Sequence, residues 1–138
     1  MKQRRYFIFA ASAVSVGLYL VNSGKILFGT AEASDQKHPN VTGVKVKARA
    51  ADQFDFDVTV SSPYDTAQRY ADAFRVVDKD GTVYGERVLL HDHADEQPFT
   101  RDLYSVTIPR TVKVVTVQAR DKQFGYGGKT AEVVLPGR

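Results

Sequence analysis

The chain contains no cysteine. A disulfide framework, a thiolate metal site and a cysteine nucleophile are therefore excluded together. It has no tryptophan, a single methionine at Met1 and only three histidines, His38, His91 and His93. Ser61, Ser62 and Ser105 lie in no nucleophile-elbow pattern. Gly125-Tyr126-Gly127-Gly128 has neither the spacing of a phosphate-binding loop nor a helix pattern after it. Charge of one sign is also lacking. The formal balance is +3, but Lys2, Arg4, Arg5 and Lys25 precede the body of the chain, and only Glu32 opposes them there. From Ser34 onward 15 basic residues face 15 acidic ones. A neutral body with interspersed signs has no electrostatic footprint for nucleic acid or an anionic membrane.

One long apolar run is present, Tyr6 to Val21, broken only by Ser12, Ser15 and Gly17. It follows the basic stretch Met1–Arg5 and precedes Ala31-Glu32-Ala33, a small-x-small cleavage signal. Residues 1–33 thus read as an export signal that delivers the rest to the periplasm or outside the cell. Gln3-Arg4-Arg5-Tyr6-Phe7-Ile8 resembles a twin-arginine translocation signal. An ordinary secretory signal is the simpler alternative, and an uncleaved helix anchored in the inner membrane by residues 6–21 is a third. Sixteen apolar residues fall just short of the roughly 17–25 that span a bilayer. Residues 34–40 are polar, carry Pro39 and read as a linker. Asn40-Val41-Thr42 matches a glycosylation acceptor, which in an exported bacterial chain is a chance match.

Residues 41–138 read as one domain of about 100 residues, large enough for a single core. Val44, Val46, Ala48 and Ala50 alternate with Lys45, Lys47 and Arg49. Phe54, Phe56, Val58 and Val60 alternate with Asp55, Asp57 and Thr59. Period two means a half-buried strand. Ser62-Pro63 with Asp65 is compatible with a helix start over Pro63–Phe74, but Phe74-Arg75-Val76-Val77 before Asp78-Lys79-Asp80-Gly81 favours a strand from Tyr70 to Val77 and a hairpin turn. Strands are further predicted over Thr82–Leu90, Phe99–Ile108, Val112–Arg120 and Thr130–Leu135, with the glycine-rich stretch as the last turn. Seven short strands with regular turn signals predict an all-β, seven-stranded antiparallel β-sandwich.

Ile108-Pro109, the run Val112 to Arg120, the glycine stretch and Thr130 to Leu135 resemble the last two strands of a fibronectin type III domain. The resemblance implies an immunoglobulin-like sandwich, with Phe54 or Phe56 standing where that family has a core tryptophan. Together with the export signal, the stretches His91 to Arg101 and Gly125 to Thr130 also resemble a family of small exported bacterial proteins of unknown function.

Few residues carry chemistry. His91 and His93, two apart in an extended segment, project to one side, and paired imidazoles suit copper, zinc or nickel; Asp95, Glu96 or His38 would be the further ligand. His93 or His91 could also titrate as a pH switch. The carboxylates Asp92, Asp95 and Glu96 have no evident pair of contrasting environments for acid–base work, and Glu96 is placed to pair with Arg101. Asp78-x-Asp80-Gly81 lacks the remaining ligands of a calcium loop. Phe124 and Tyr126 are expected exposed at one end of the sandwich. The expected function is an exported, non-enzymatic binding or accessory module without a cofactor. Its protein partner in the periplasm would meet Phe124, Tyr126, Arg101 and Glu96. The alternative is a metal-binding or metal-delivery protein using His91 and His93.

Overall fold

The computed structural model describes residues 35–138; the expectations placed on the export signal and anchor, residues 1–33, lie outside them. The alternating stretches form seven strands: β1 (Asn40–Ala50), β2 (Gln53–Ser61), β3 (Ala71–Val77), β4 (Val83–Val88), β5 (Phe99–Thr107), β6 (Val114–Asp121) and β7 (Gly125–Val134). No helix occurs among the described residues, so the strand alternative at residues 70–77 is the one adopted. All pairings are antiparallel. They build a three-stranded sheet of order β1-β2-β5 and a four-stranded sheet of order β4-β3-β6-β7.

The two sheets share one core because each strand keeps its apolar residues on one face. β2 contributes Phe54, Phe56, Val58 and Val60; β3 contributes Phe74 and Val76; β6 contributes Val115, Val117 and Ala119; and β5 contributes Phe99 and Val106. Val41, Leu89, Ile108 and Leu135 close the core at its margins. Burying each of these larger side chains stabilises by about 1.5–3 kcal/mol against exposure. On the solvent face of the first sheet Lys45 stands opposite Asp57 and Lys47 opposite Asp55, an arrangement of opposite charges that favours this register. β1 departs from simple alternation. Val41 is buried and Val44 and Val46 pack on the core, but Ala48 and Ala50 are exposed, because the register shifts after Ala48 and this end of the edge strand leaves the core.

The last hairpin differs from expectation. The glycine stretch is the beginning of β7, and the turn is Lys122–Phe124, three residues earlier. Asp121 builds that turn: its Oδ2 accepts hydrogen bonds from the backbone N–H of Gln123 (2.8 Å) and Phe124 (2.9 Å). Gly125 follows with φ 81°, a left-handed conformation that glycine adopts without steric cost. Gly127 answers to a different demand. Alanine there would put its Cβ 2.6 Å from the His38 ring. Residues 36–40 lie across the start of β7: the His38 Nδ1–H donates to the Gly125 carbonyl (3.1 Å), Asn40 Oδ1 accepts from the Lys129 N–H (2.8 Å), and Pro39 is fully buried. β7 bulges to fit, since Ala119 faces Gly127 while Val117 faces Ala131.

Candidate functional site at one end of the sandwich

The register decides which loops meet. Asn40 pairs with Ser61, Val60 with Phe99, Ala71 with Asp121, Asp121 with Gly125, and Ala73 with Val88. The segment before β1, the β2–β3 loop (62–70), the β4–β5 connection (89–98) and the β6–β7 turn (122–124) therefore share one end. His91–Arg101 and Phe124 lie at that common end, bridged by the β2–β3 loop.

The first half of this end is the β4–β5 connection. His93 is buried, its ring stacked on Phe99 with centroids 4.0 Å apart and planes 11° apart. Its backbone N–H donates to Asp65 Oδ2 (3.0 Å), while Asp65 Oδ1 accepts from the Ala71 N–H (3.1 Å). Gln97 completes the clamp: Oε1 accepts from the Ser62 N–H (2.7 Å), and Nε2 donates to the His93 carbonyl (3.0 Å) and to Ser62 Oγ (3.3 Å). Burial raises the Asp65 carboxyl above its ordinary range, against the pull of the His93 and Ala71 N–H groups. Burial lowers His93, and the Arg101 charge and His91 lower it further. Its imidazole is thus held neutral. Ser62, His93 and Asp65 bring to mind a catalytic triad, but their geometry is that of a loop clamp: among the described residues no hydrogen bond joins the imidazole to Ser62 Oγ or to Asp65. Arg101 Nη2 donates to Glu96 Oε1 (2.9 Å), forming the ion pair read from the sequence and lowering Glu96 below the usual glutamate range.

The His91 and His93 rings do face each other, with centroids 4.9 Å apart. Among the described residues, however, no group of three His, Asp or Glu side chains is placed to hold a metal ion. His91 Nδ1 is engaged with the Asp92 carbonyl (2.8 Å), Glu96 with Arg101, and His38 with β7.

The second half centres on Arg69. Its guanidinium lies over the Tyr64 ring (4.1 Å) and the Phe124 ring (5.0 Å), pairs through Nε with Asp121 (3.2 Å), and donates through Nη2 to the Gln36 carbonyl (2.6 Å). One side chain thereby joins the β2–β3 loop, the β6–β7 turn and the segment before β1. Asp121 is fully buried. Burial works to raise its carboxyl, but Tyr64, the Phe124 and Gln123 N–H groups and Arg69 outweigh it and leave it below the ordinary aspartate range. Burial, then the neighbouring Asp121, pushes the Tyr64 phenol well up, so it stays protonated. Among the described residues neither Tyr64 Oη nor Asp121 Oδ1 has a partner in good hydrogen-bond geometry.

Phe124 is 42% exposed, with the Lys37 ammonium 5.5 Å above its ring. Leu90, 82% exposed, is the most exposed large apolar residue described, and the Lys122 ammonium sits 5.0 Å over the adjoining Tyr70 ring. Tyr126 does not accompany Phe124. It pairs with Arg120 and lies on the outer face of the four-stranded sheet, its ring 3.7 Å from the Arg75 guanidinium and its hydroxyl bonded to Glu86. The sequence placed it at the tip because the turn was set three residues too late. Arg69, Tyr64, Gln97 and Asp121 carry the architecture of this end and were not singled out by sequence reasoning, and Asp65, read there as a helix-start carboxylate, instead clamps the β4–β5 connection. Asp-x-x-x-Gly at 121–125 is the one local signal that announces a carboxylate-capped turn. Comparison with protein-family models, curated proteins and solved structures finds no match to this chain.

Proposed function

We propose that the chain is an exported, non-enzymatic β-sandwich module that binds a partner through this loop end. The observation that carries the reading is the convergence at one end of Phe124, Leu90 and the His91–Arg101 connection, held by Arg69, Asp65 and Asp121. An exposed aromatic ring and an exposed leucine flanked by cations, on loops fixed by buried polar clamps, are the composition of a preorganised contact surface. Loops carried on a rigid sandwich commonly have this role. The three-plus-four sheet arrangement with β1-β2-β5 and β4-β3-β6-β7 supports placing the fold with immunoglobulin-like domains of the fibronectin type III kind. The basic and apolar character of residues 1–21 supports a location outside the cytoplasm.

The test is capture from envelope extract of the native cell with wild type, Phe124→Asp and Tyr126→Ala. The reading expects a partner retained by wild type and Tyr126→Ala and lost by Phe124→Asp. Equal capture by all three, or by none, contradicts it.

A further inference from the structure

The opposite end of the sandwich holds a second built site. The β1–β2 turn (Ala51 and Asp52), the β5–β6 loop (108–113) and the Pro136–Arg138 tail meet there. The carbonyls of Ile108, Pro109 and Val112 and the carboxylate of Asp52 form a cup, floored by the Phe54 ring. The guanidinium of Arg138 fills it, and Arg110 Nη2 pairs with the same Asp52 Oδ1 from the rim (3.2 Å). Nη1 donates to the Pro109 carbonyl and to the Val112 carbonyl (2.8 Å); Nη2 donates to the Ile108 carbonyl (2.8 Å) and to Asp52 Oδ1 (3.1 Å); and the guanidinium carbon stands 4.9 Å over Phe54. The Arg138 side chain is 8% exposed. The backbone supports the cup from behind, as the Ile108 N–H donates to the Asp52 carbonyl (2.8 Å) and the Val112 N–H to the Pro109 carbonyl (2.9 Å).

These acceptors match a planar fork. Three carbonyls and one carboxylate take four N–H donors from the two terminal nitrogens, and an aromatic face lies beneath. An ammonium offers three donors from one point and cannot reach all four acceptors. The tail that delivers the guanidinium is lightly held. Pro136 and Gly137 are exposed, and among the described residues the tail makes its hydrogen bonds through this side chain alone. Gly137, at φ 82°, supplies the reversal that folds Arg138 back. A surface cavity of about 440 Å³, lined in part by Asp52, Phe54, Arg110 and Arg138, adjoins the cup.

We propose that this cup is an arginine-recognition site which the chain keeps filled with its own Arg138, and which takes an arginine side chain from a peptide or partner when the tail is displaced. The tail acts as a tethered ligand, and its high effective concentration keeps the site closed to weak competitors. The site is independent of the loop end proposed above, since it uses none of the same residues.

The experiment uses the full chain as wild type, Arg138→Ala and Arg138→Lys. The probe is the peptide acetyl-Leu-Pro-Gly-Arg-amide, with its lysine counterpart as control, titrated by NMR. Arg138→Ala should bind the arginine peptide at least about tenfold more tightly than the lysine peptide, and more tightly than wild type does. Shifts should fall on Asp52, Ile108 and Val112. A folded Arg138→Ala that binds neither peptide, or both equally, overturns the proposal. Should Arg138→Ala fail to fold, Arg138→Lys decides. A melting temperature equal to wild type would mean that any cation serves and would overturn the proposal; a fall supports recognition of the guanidinium fork.

Discussion

Asp121 shows how much of this molecule rests on single side chains. Its carboxylate is fully buried, yet one oxygen caps two N–H groups of the β6–β7 turn, and the group faces Arg69, the cation that ties the turn to Gln36. Asp121→Asn keeps the shape, removes the charge and leaves Arg69 without its counter-ion. We expect a loss of about 2–3 kcal/mol, read by urea unfolding. The pH dependence has a fixed sign. The folded carboxyl lies below its usual value of 3.8, so its stabilisation is present above that value and is lost as pH falls through the folded pKa. The asparagine variant should therefore unfold in acid with a shallower dependence on pH. His93 runs parallel with the other charge type. Its folded imidazole lies below the usual 6.5, so stability is full above about that pH and falls as the unfolded chain takes up a proton that the folded site refuses. His93→Phe preserves the stack on Phe99. It should flatten the decline in melting temperature between pH 7 and 5; an unchanged slope would remove His93 as its source.

At the scale of elements, β7 and the segment before β1 form one unit, although 89 residues separate Asn40 from Lys129. Gly127→Ala drives a methyl group into the His38 ring and should cost about 1–3 kcal/mol. His38→Ala opens space for it, so the double variant should lose less than the sum of the two single variants, a coupling that denaturant titration of all four proteins measures. A sum within error would mean that the segment does not rest on Gly127. The same strand marks the boundary of what a sequence can reveal. Alternation exposed β2 and β6 because their inward faces are uninterrupted: Phe54 to Val60 and Val115 to Ala119 read as strands from the side chains alone, whereas β3 was legible from Phe74–Val77 running into the Asp78–Gly81 turn. The Gly-Tyr-Gly-Gly run read as a turn because positive φ is the commonest reason for clustered glycine. For Gly125 and Gly128 the φ values do require it, but at Gly127 the requirement is room for a ring remote in sequence. Arg69 escaped notice for the same reason. Its partners Gln36, Tyr64, Asp121 and Phe124 come from three segments that only the folded register brings together. The Glu96–Arg101 pair, five residues apart, was legible because its geometry is local.

Residues 36–138 form a two-sheet sandwich with differently built ends. One carries clamped loops that present Phe124 and Leu90, and the other encloses its own Arg138. We propose that residues 1–33 supply an export address. If Arg4 and Arg5 act as a twin-arginine pair, Arg4→Lys/Arg5→Lys should abolish export of a reporter fused after residue 33; unchanged export would assign the secretory route instead. The central claim is that the loop end is the surface through which the exported domain meets its partner. A photo-crosslinking amino acid placed at position 90 or 124, and separately at position 79 in the β3–β4 turn at the far end, tests it most directly in the native cell. The account predicts one discrete crosslinked species from positions 90 and 124 that position 79 does not give. The same species from position 79, or none from 90 and 124, would contradict it.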